Sequence, residues 1–93
     1  MSTPERADAV AELVLAVPGV AGLHPGMFGE VGTYLPGRRV AGIRFGDDTI
    51  AVHIAIREGA HARETAAAVR AAVSKAWPGV AVNVTVEDVL ADE

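Results

Sequence analysis

The chain has 93 residues, a formal net charge of −4, 51% hydrophobic residues and no cysteine. This length fits one domain, residues 1–93, with a single core and little room for a deep enclosed pocket. The charge argues against nucleic-acid binding, because phosphate recognition usually needs a basic surface, and the lack of cysteine excludes disulfides and thiolate metal sites. The longest apolar runs are far shorter than the ~20 residues that span a bilayer, so we expect no direct membrane insertion.

The first predicted element is a helix over residues 2–17. Ser2 and Glu5 have the spacing of a capping box, and Pro4 suits the first turn of a helix. Apolar residues recur at helical spacing at Val10, Leu13, Val14 and Val17. Pro18 and Gly19 then end the helix.

Strands are predicted for the middle of the chain. Residues 20–23 form a short strand, and the Gly- and Pro-rich segment 25–37 is predicted to be a loop. Residues 39–45 and 49–57 are predicted to form a hairpin around the turn Gly46-Asp47-Asp48. In the second hairpin strand the alternation places one set of residues on a single face, namely Ile50, Val52, Ile54 and Ile56.

A second helix over residues 61–77 and a last strand over residues 80–87 complete the chain. The strand places Val80, Val82, Val84 and Val86 on one face. A strand–helix–strand connection favours parallel pairing of strands 49–57 and 80–87. The predicted fold class is α+β, a two-layer sandwich of order α-β-β-β-α-β with two helices on one face of a mixed sheet.

Several segments, in this order, resemble the alkaline-shock or general-stress family of envelope stress response proteins of Gram-positive bacteria. They are the first helix running into Val17-Pro18-Gly19-Val20-Ala21-Gly22-Leu23, the Gly-rich segment, the strand 50–56, and the ending Val82-Asn83-Val84-Thr85-Val86-Glu87-Asp88-Val89. The segment Tyr34-Leu35-Pro36-Gly37-Arg38-Arg39 is similar to the actinobacterial branch. The chain differs from longer members by lacking extended charged termini.

This resemblance implies a protein-interaction module without an enzymatic role. Members of the family are cytosolic, and some self-associate or sit at the membrane through an anchoring protein. We therefore expect a protein partner, a membrane-anchored one among the candidates, or a homo-oligomer. The start of the chain shows no signal-peptide pattern, which also predicts a cytoplasmic protein, peripheral to the membrane only through a partner.

The residues themselves indicate no catalytic, cofactor or metal site. His24, His53 and His61 lack metal-ligand spacing, and His61 is expected near the N-cap of the second helix. The motif Gly26-Met27-Phe28-Gly29 matches the GxxG of RNA-binding KH domains, but it follows a strand and contains no basic residue, so a flexible turn is the preferred interpretation. Glu87 and Asp88 end a strand and are expected to be solvated.

The sheet face opposite the predicted core is the candidate interaction surface. It carries Arg44, His53 and Arg57 among small residues, and interfaces enrich Arg while they deplete Glu and Lys. An ordinary solvated face is the alternative. A second alternative is an RNA- or ribosome-associated factor, which would need its arginines, such as Arg38, Arg39, Arg44 and Arg57, to cluster.

Overall fold

The structure is a computed structural model and describes residues 2–91 of the chain. Its elements are α1 (Thr3–Leu15), β1 (Val20–Leu23), β2 (Gly32–Leu35), β3 (Arg38–Ala41), β4 (Ile43–Phe45), β5 (Thr49–Arg57), α2 (Ala62–Ala76) and β6 (Ala81–Leu90). The predicted α+β class and both helices are confirmed. Five strands, and not the predicted three, separate the two helices.

Strand β5 lies at the centre of the main sheet. Along one side it pairs in parallel with β6, as predicted, with Ile50 opposite Val82. Along the other side two short strands pair antiparallel with it, one after the other: β4 beside residues 50–52 and β1 beside residues 54–56. The sheet is therefore mixed, three strand positions wide, with two strands sharing one position.

The core lies between the helices and one face of β5. The alternation of β5 is confirmed, because the four residues predicted to share its inner face are at most 2% exposed, namely Ile50, Val52, Ile54 and Ile56. They pack in one cluster with Val10 and Val14 of α1 and with Val69 and Val73 of α2. Both helices therefore cover the same face of the sheet.

The prediction of a loop over residues 25–37 is wrong at its end. β2 lies inside that segment and pairs with β3 as a small separate hairpin, with Tyr34 opposite Arg39. A Cβ at Gly32, which lies in this strand, would collide with the Arg39 guanidinium unless that side chain shifted. The glycine thus leaves room for the Arg39 side chain, although its sequence context suggested a turn.

The single strand predicted over residues 39–45 is divided at Gly42. This residue has φ of +80°, and a Cβ there would lie 2.8 Å from the carbonyl oxygen of His53. The Gly42 N–H donates to the Val31 carbonyl, and its own carbonyl accepts from the His53 N–H. The kink therefore directs β3 into the small hairpin and β4 into the main sheet.

The helix and strand ends follow local chemistry. Ser2 is the N-cap of α1, and its Oγ accepts a hydrogen bond from the Glu5 N–H at 3.3 Å, as the capping-box spacing predicts. His61 is the N-cap of α2, also as predicted, although its side chain makes no capping hydrogen bond. β6 continues to Leu90, three residues beyond the predicted end at residue 87.

Candidate functional site

The structure places the three predicted interface residues on one face of the main sheet. His53 and Arg57 alternate along β5 with the buried core residues, and Arg44 of β4 is opposite Ala51 of β5. Ala55, on the same face, is only 2% exposed, so this part of the face is not open to solvent. The three predicted residues are therefore neighbours on one face of the sheet, but the part of that face around Ala55 is buried.

The predicted interface side chains Arg44 and His53 are held by groups of the same chain. The Arg44 guanidinium donates from Nη2 to the Glu30 carbonyl. His53 Nδ1 lies 2.9 Å from Glu87 Oε1, with both side chains largely buried, so the prediction that Glu87 is solvated is wrong. Arg57 is exposed at the end of β5.

The segment between β1 and β2 is a compact, internally bonded loop. The Gly26 N–H donates to His24 Nδ1 at 3.0 Å, and the Val31 N–H donates to the Pro25 carbonyl at 2.8 Å. A further bond joins the Gly29 N–H to the Gly26 carbonyl at 3.1 Å. These bonds define the backbone of the segment that contains the GxxG motif, and the predicted turn is present there.

Two arginines brace this loop from outside. Arg39 donates from Nη2 to the Gly29 carbonyl at 2.5 Å and to the Val31 carbonyl at 3.0 Å. Arg44 holds the intervening residue, Glu30, through its carbonyl. Because these hydrogen bonds have a charged donor, they are stronger than those between neutral groups.

The braced loop presents two large apolar side chains to solvent. Met27 is 84% and Phe28 86% exposed, and we call this pair the Met27–Phe28 tip. Tyr34 on the neighbouring hairpin is also exposed, and the Arg39 guanidinium lies 5.1 Å from the centre of its ring. Sequence reasoning singled out this motif only for its glycines. The missed signal was two large apolar residues in a segment predicted to be a loop.

An apolar groove lies between the two helices. This open groove has a volume of about 480 Å³ and is lined by Ala9, Glu12, Leu13, Ala16, Ala76 and Trp77. Its only ionisable lining residue is Glu12, so it offers contact area and little acid–base chemistry.

The titratable residues are dispersed over the described part of the chain. Within residues 2–91, no three His, Asp or Glu side chains come together as a group that could hold a metal ion. His24 accepts a loop N–H, His53 contacts Glu87, and His61 lies at the start of α2. The three histidines therefore lie in three separate environments.

Arginines that the RNA-binding alternative requires form hydrogen bonds within the chain. Arg38 donates from both terminal nitrogens to the Asp8 carboxylate, at 2.9 and 2.8 Å. These hydrogen bonds, with the attraction of the guanidinium charge, hold the pKa of Asp8 below its usual value. Arg39 and Arg44 brace the loop. Their positive charges are thus partly committed to groups of the same chain.

Neither helix found in residues 2–91 has the length and apolar character needed to cross a bilayer.

Comparison with known proteins identifies no relative of this chain. No protein-family model matches it. No curated protein and no solved structure is significantly similar to it either.

Proposed function

We propose that this chain is a non-catalytic protein-interaction module of the envelope stress response type. The observation that supports this most directly is the Met27–Phe28 tip. Large apolar side chains are stabilised when they are removed from water. Neighbouring apolar side chains that stay exposed are therefore a feature of surfaces that bind a partner. Interfaces also enrich Met, Phe, Tyr and Arg, the residue types found at and around this tip.

The bracing of the loop supports the same proposal. A loop that is ordered before binding loses less conformational entropy when its partner arrives. Here the hydrogen bonds from Arg39 and Arg44 to loop carbonyls hold the backbone behind the tip. An aromatic anchor on a pre-organised backbone has the properties of a binding hot spot.

The sequence resemblance supports a partner in the cell envelope. Members of the alkaline-shock family are cytosolic, and some of them reach the membrane through an anchored partner. The partner proposed for the Met27–Phe28 tip is accordingly a membrane-anchored protein that offers an apolar pocket to Phe28.

Affinity purification from the source organism, with membranes solubilised in mild detergent, tests this proposal. The variant Met27→Ser/Phe28→Ser removes the apolar tip and leaves the bracing arginines in place. Leu15→Ser is the matched control, because Leu15 is also a large exposed apolar residue but lies at the end of α1. Surface changes of this kind usually alter stability by less than about 0.5 kcal/mol.

We expect the wild type and Leu15→Ser to retain the same membrane protein and the tip variant to lose it. Retention of every partner by a folded tip variant would overturn the proposal for this surface. Salt-sensitive retention of RNA, in place of a membrane protein, would favour the ribosome-associated alternative.

A further inference from the structure

The outer edge of β6 presents backbone groups that the main sheet does not use. The Ala81 N–H donates to the Asp48 carbonyl, and the Leu90 carbonyl accepts from the Glu58 N–H, so both residues point their backbone groups toward β5. Counted from Ala81, alternation points the N–H and C=O groups of Val82, Val84 and Val86 the other way, and an irregularity after Val86 shifts the alternation for Leu90. Within residues 2–91, β6 pairs with β5 alone, so these groups lie at an open edge.

This open edge has a defined end. Val86 is opposite Ile54, but the next residue of β5, Ala55, is opposite Asp88, which leaves Glu87 as the extra residue of a bulge. Beyond the bulge the Val89 N–H donates a hydrogen bond to its neighbour's carboxylate, Asp88 Oδ1, at 2.8 Å. The bulge and this carboxylate close the edge after Val86, so the stretch available for pairing is residues 82–86.

The stretch lacks the residues that usually protect an edge strand. Such strands commonly carry Lys or Pro, which discourage pairing with another chain. Residues 81–86 read Ala-Val-Asn-Val-Thr-Val and contain no charge and no proline. The first charged residues of β6 are the acids of the bulge, Glu87 and Asp88.

We propose that β6 pairs antiparallel with β6 of a second copy of this chain, about a twofold axis at Val84. In this register Val84 is opposite Val84 of the second copy and Val82 is opposite Val86. Each strand supplies three outward N–H groups and three outward C=O groups, from residues 82, 84 and 86, so the pair forms six hydrogen bonds. Moving the axis by one residue, to 83 or 85, leaves only two of the three residues matched and only four bonds.

The acidic residues of β6 are compatible with this register. The antiparallel arrangement about Val84 places Glu87 opposite Ala81 and Asp88 opposite Val80 of the second copy. The acids of the two chains therefore do not face each other, which avoids a cross-strand repulsion between like charges. On the outer face Asn83 is opposite Thr85, a pair that can hydrogen-bond.

Side-chain burial adds to the backbone pairing. Val84 and Val86 are only partly buried in the single chain, although they face the core side. A second β6 alongside would cover their flanks and continue the sheet into its partner, giving an isologous dimer. The inference goes beyond the proposed function, because it uses a surface other than the Met27–Phe28 tip.

Light scattering on purified protein at high micromolar concentration tests whether the chain dimerises through the edge of β6. We expect the wild type and Val84→Ala to have the mass of a dimer and Val84→Pro to have the mass of a monomer. Proline removes the outward Val84 N–H, which β5 does not use, and proline is tolerated at such positions of edge strands. The control Val84→Ala also removes most of the valine side chain, but it keeps the backbone N–H. A monomeric wild type, or a folded Val84→Pro variant that stays dimeric, would overturn the proposal.

A cross-link tests the register without proline, should Val84→Pro fail to fold. The chain has no cysteine, so the single variants Asn83→Cys and Thr85→Cys each carry one thiol. Directly opposite residues of a non-hydrogen-bonded pair have Cα atoms about 4.5 Å apart, within disulfide range, whereas diagonal neighbours are about 7–8 Å apart. An oxidised mixture of the two variants should give a disulfide-linked heterodimer, and each variant alone should give little. Equal cross-linking in all three samples would contradict this register.

The tip variant separates this inference from the proposed function. Met27→Ser/Phe28→Ser should keep the dimer mass while it loses the membrane partner. If the wild type is monomeric but the tip still captures its partner, the edge inference alone fails. A dimeric wild type whose tip variant captures every partner leaves the edge inference standing and removes the proposed role of the tip.

Discussion

His53 and Glu87 face each other across β5 and β6, with Nδ1 and Oε1 separated by 2.9 Å. Their side chains are 21% and 17% exposed, on the sheet face opposite the helices. Glu87 shares that face because it lies two residues after Thr85, which is opposite His53. The contact thus ties the bulge of β6 to the central strand.

A double-mutant cycle measures this contact. We expect His53→Ala and Glu87→Ala each to lower the free energy of unfolding, because each leaves the other group largely buried with a lost hydrogen bond. The coupling between the two changes should be on the order of 1 kcal/mol, measured by urea unfolding at neutral pH. Glu58→Ala, which removes an exposed acid, is the control and should be nearly neutral. Strict additivity of the two single changes would contradict the contact.

Gly42 should be the least replaceable glycine in the strand region. Alanine there suffers both from its φ of +80° and from a Cβ 2.8 Å from the His53 carbonyl and 3.0 Å from His24 backbone atoms. Gly37→Ala is the matched control, because its φ of +74° is similar but nothing lies within 4 Å of the added Cβ. We expect about 1–2 kcal/mol of destabilisation at Gly37 and at least about 1 kcal/mol more at Gly42. Equal effects in urea unfolding would mean that the close approach at Gly42 is not as described.

A new carboxylate should destabilise the fold strongly at Val82 of β6 and only slightly at the adjacent Asn83. Val82 is buried opposite Ile50, so Val82→Asp places an unpaired carboxylate in the core at a cost of several kcal/mol. A domain with a typical stability of about 5–15 kcal/mol should then be largely unfolded or strongly destabilised. Asn83→Asp changes an exposed side chain and should retain the native circular dichroism spectrum and melting temperature. If Asn83→Asp were the more damaging change, the strand register would be shifted by one residue.

The parts of the fold predicted from sequence are those that follow from a repeating pattern. The alternation in 49–57 specifies which face of β5 is buried, and the 3.6-residue repeat specifies the inner sides of the two helices. Apolar residues repeat with the period of the helix or strand because one face of each element packs against the same core. The repeat therefore identifies the buried face directly. Thr65 of α2 escaped this reasoning because it is a polar residue in a buried helical position.

The parts that sequence could not predict depend on contacts between distant segments. The kink at Gly42 is required by the backbones of His24 and His53, which lie 18 and 11 residues away by residue number. The bracing of the loop depends on which carbonyls Arg39 and Arg44 reach, and no local spacing encodes that choice. The exposure of Met27 and Phe28 was unforeseen for a similar reason, because an apolar pair in a loop can equally fold inward.

The ion pair between Asp8 and Arg38 links α1 to the β2–β3 hairpin and should be visible as a pH effect. Two hydrogen bonds from the Arg38 guanidinium lower the pKa of Asp8, its positive charge adds to the shift, and loss of hydration opposes it. An NMR titration of the Asp8 carboxyl should therefore give a lower midpoint in the wild type than in Arg38→Ala. Both groups are well exposed, so the contribution to stability is small.

The sign of this pH effect follows from the lowered pKa. A carboxyl whose pKa is lower in the folded state stabilises the fold above its unfolded pKa, and this stabilisation is lost as pH falls through the folded pKa. The wild type should therefore be slightly more stable than Arg38→Ala at neutral pH, and the difference should vanish once Asp8 is protonated. Arg38→Lys keeps the charge but cannot donate through two parallel bonds, so its Asp8 midpoint should lie between the other two. A higher Asp8 midpoint in the wild type than in Arg38→Ala would show that the pair does not form in solution.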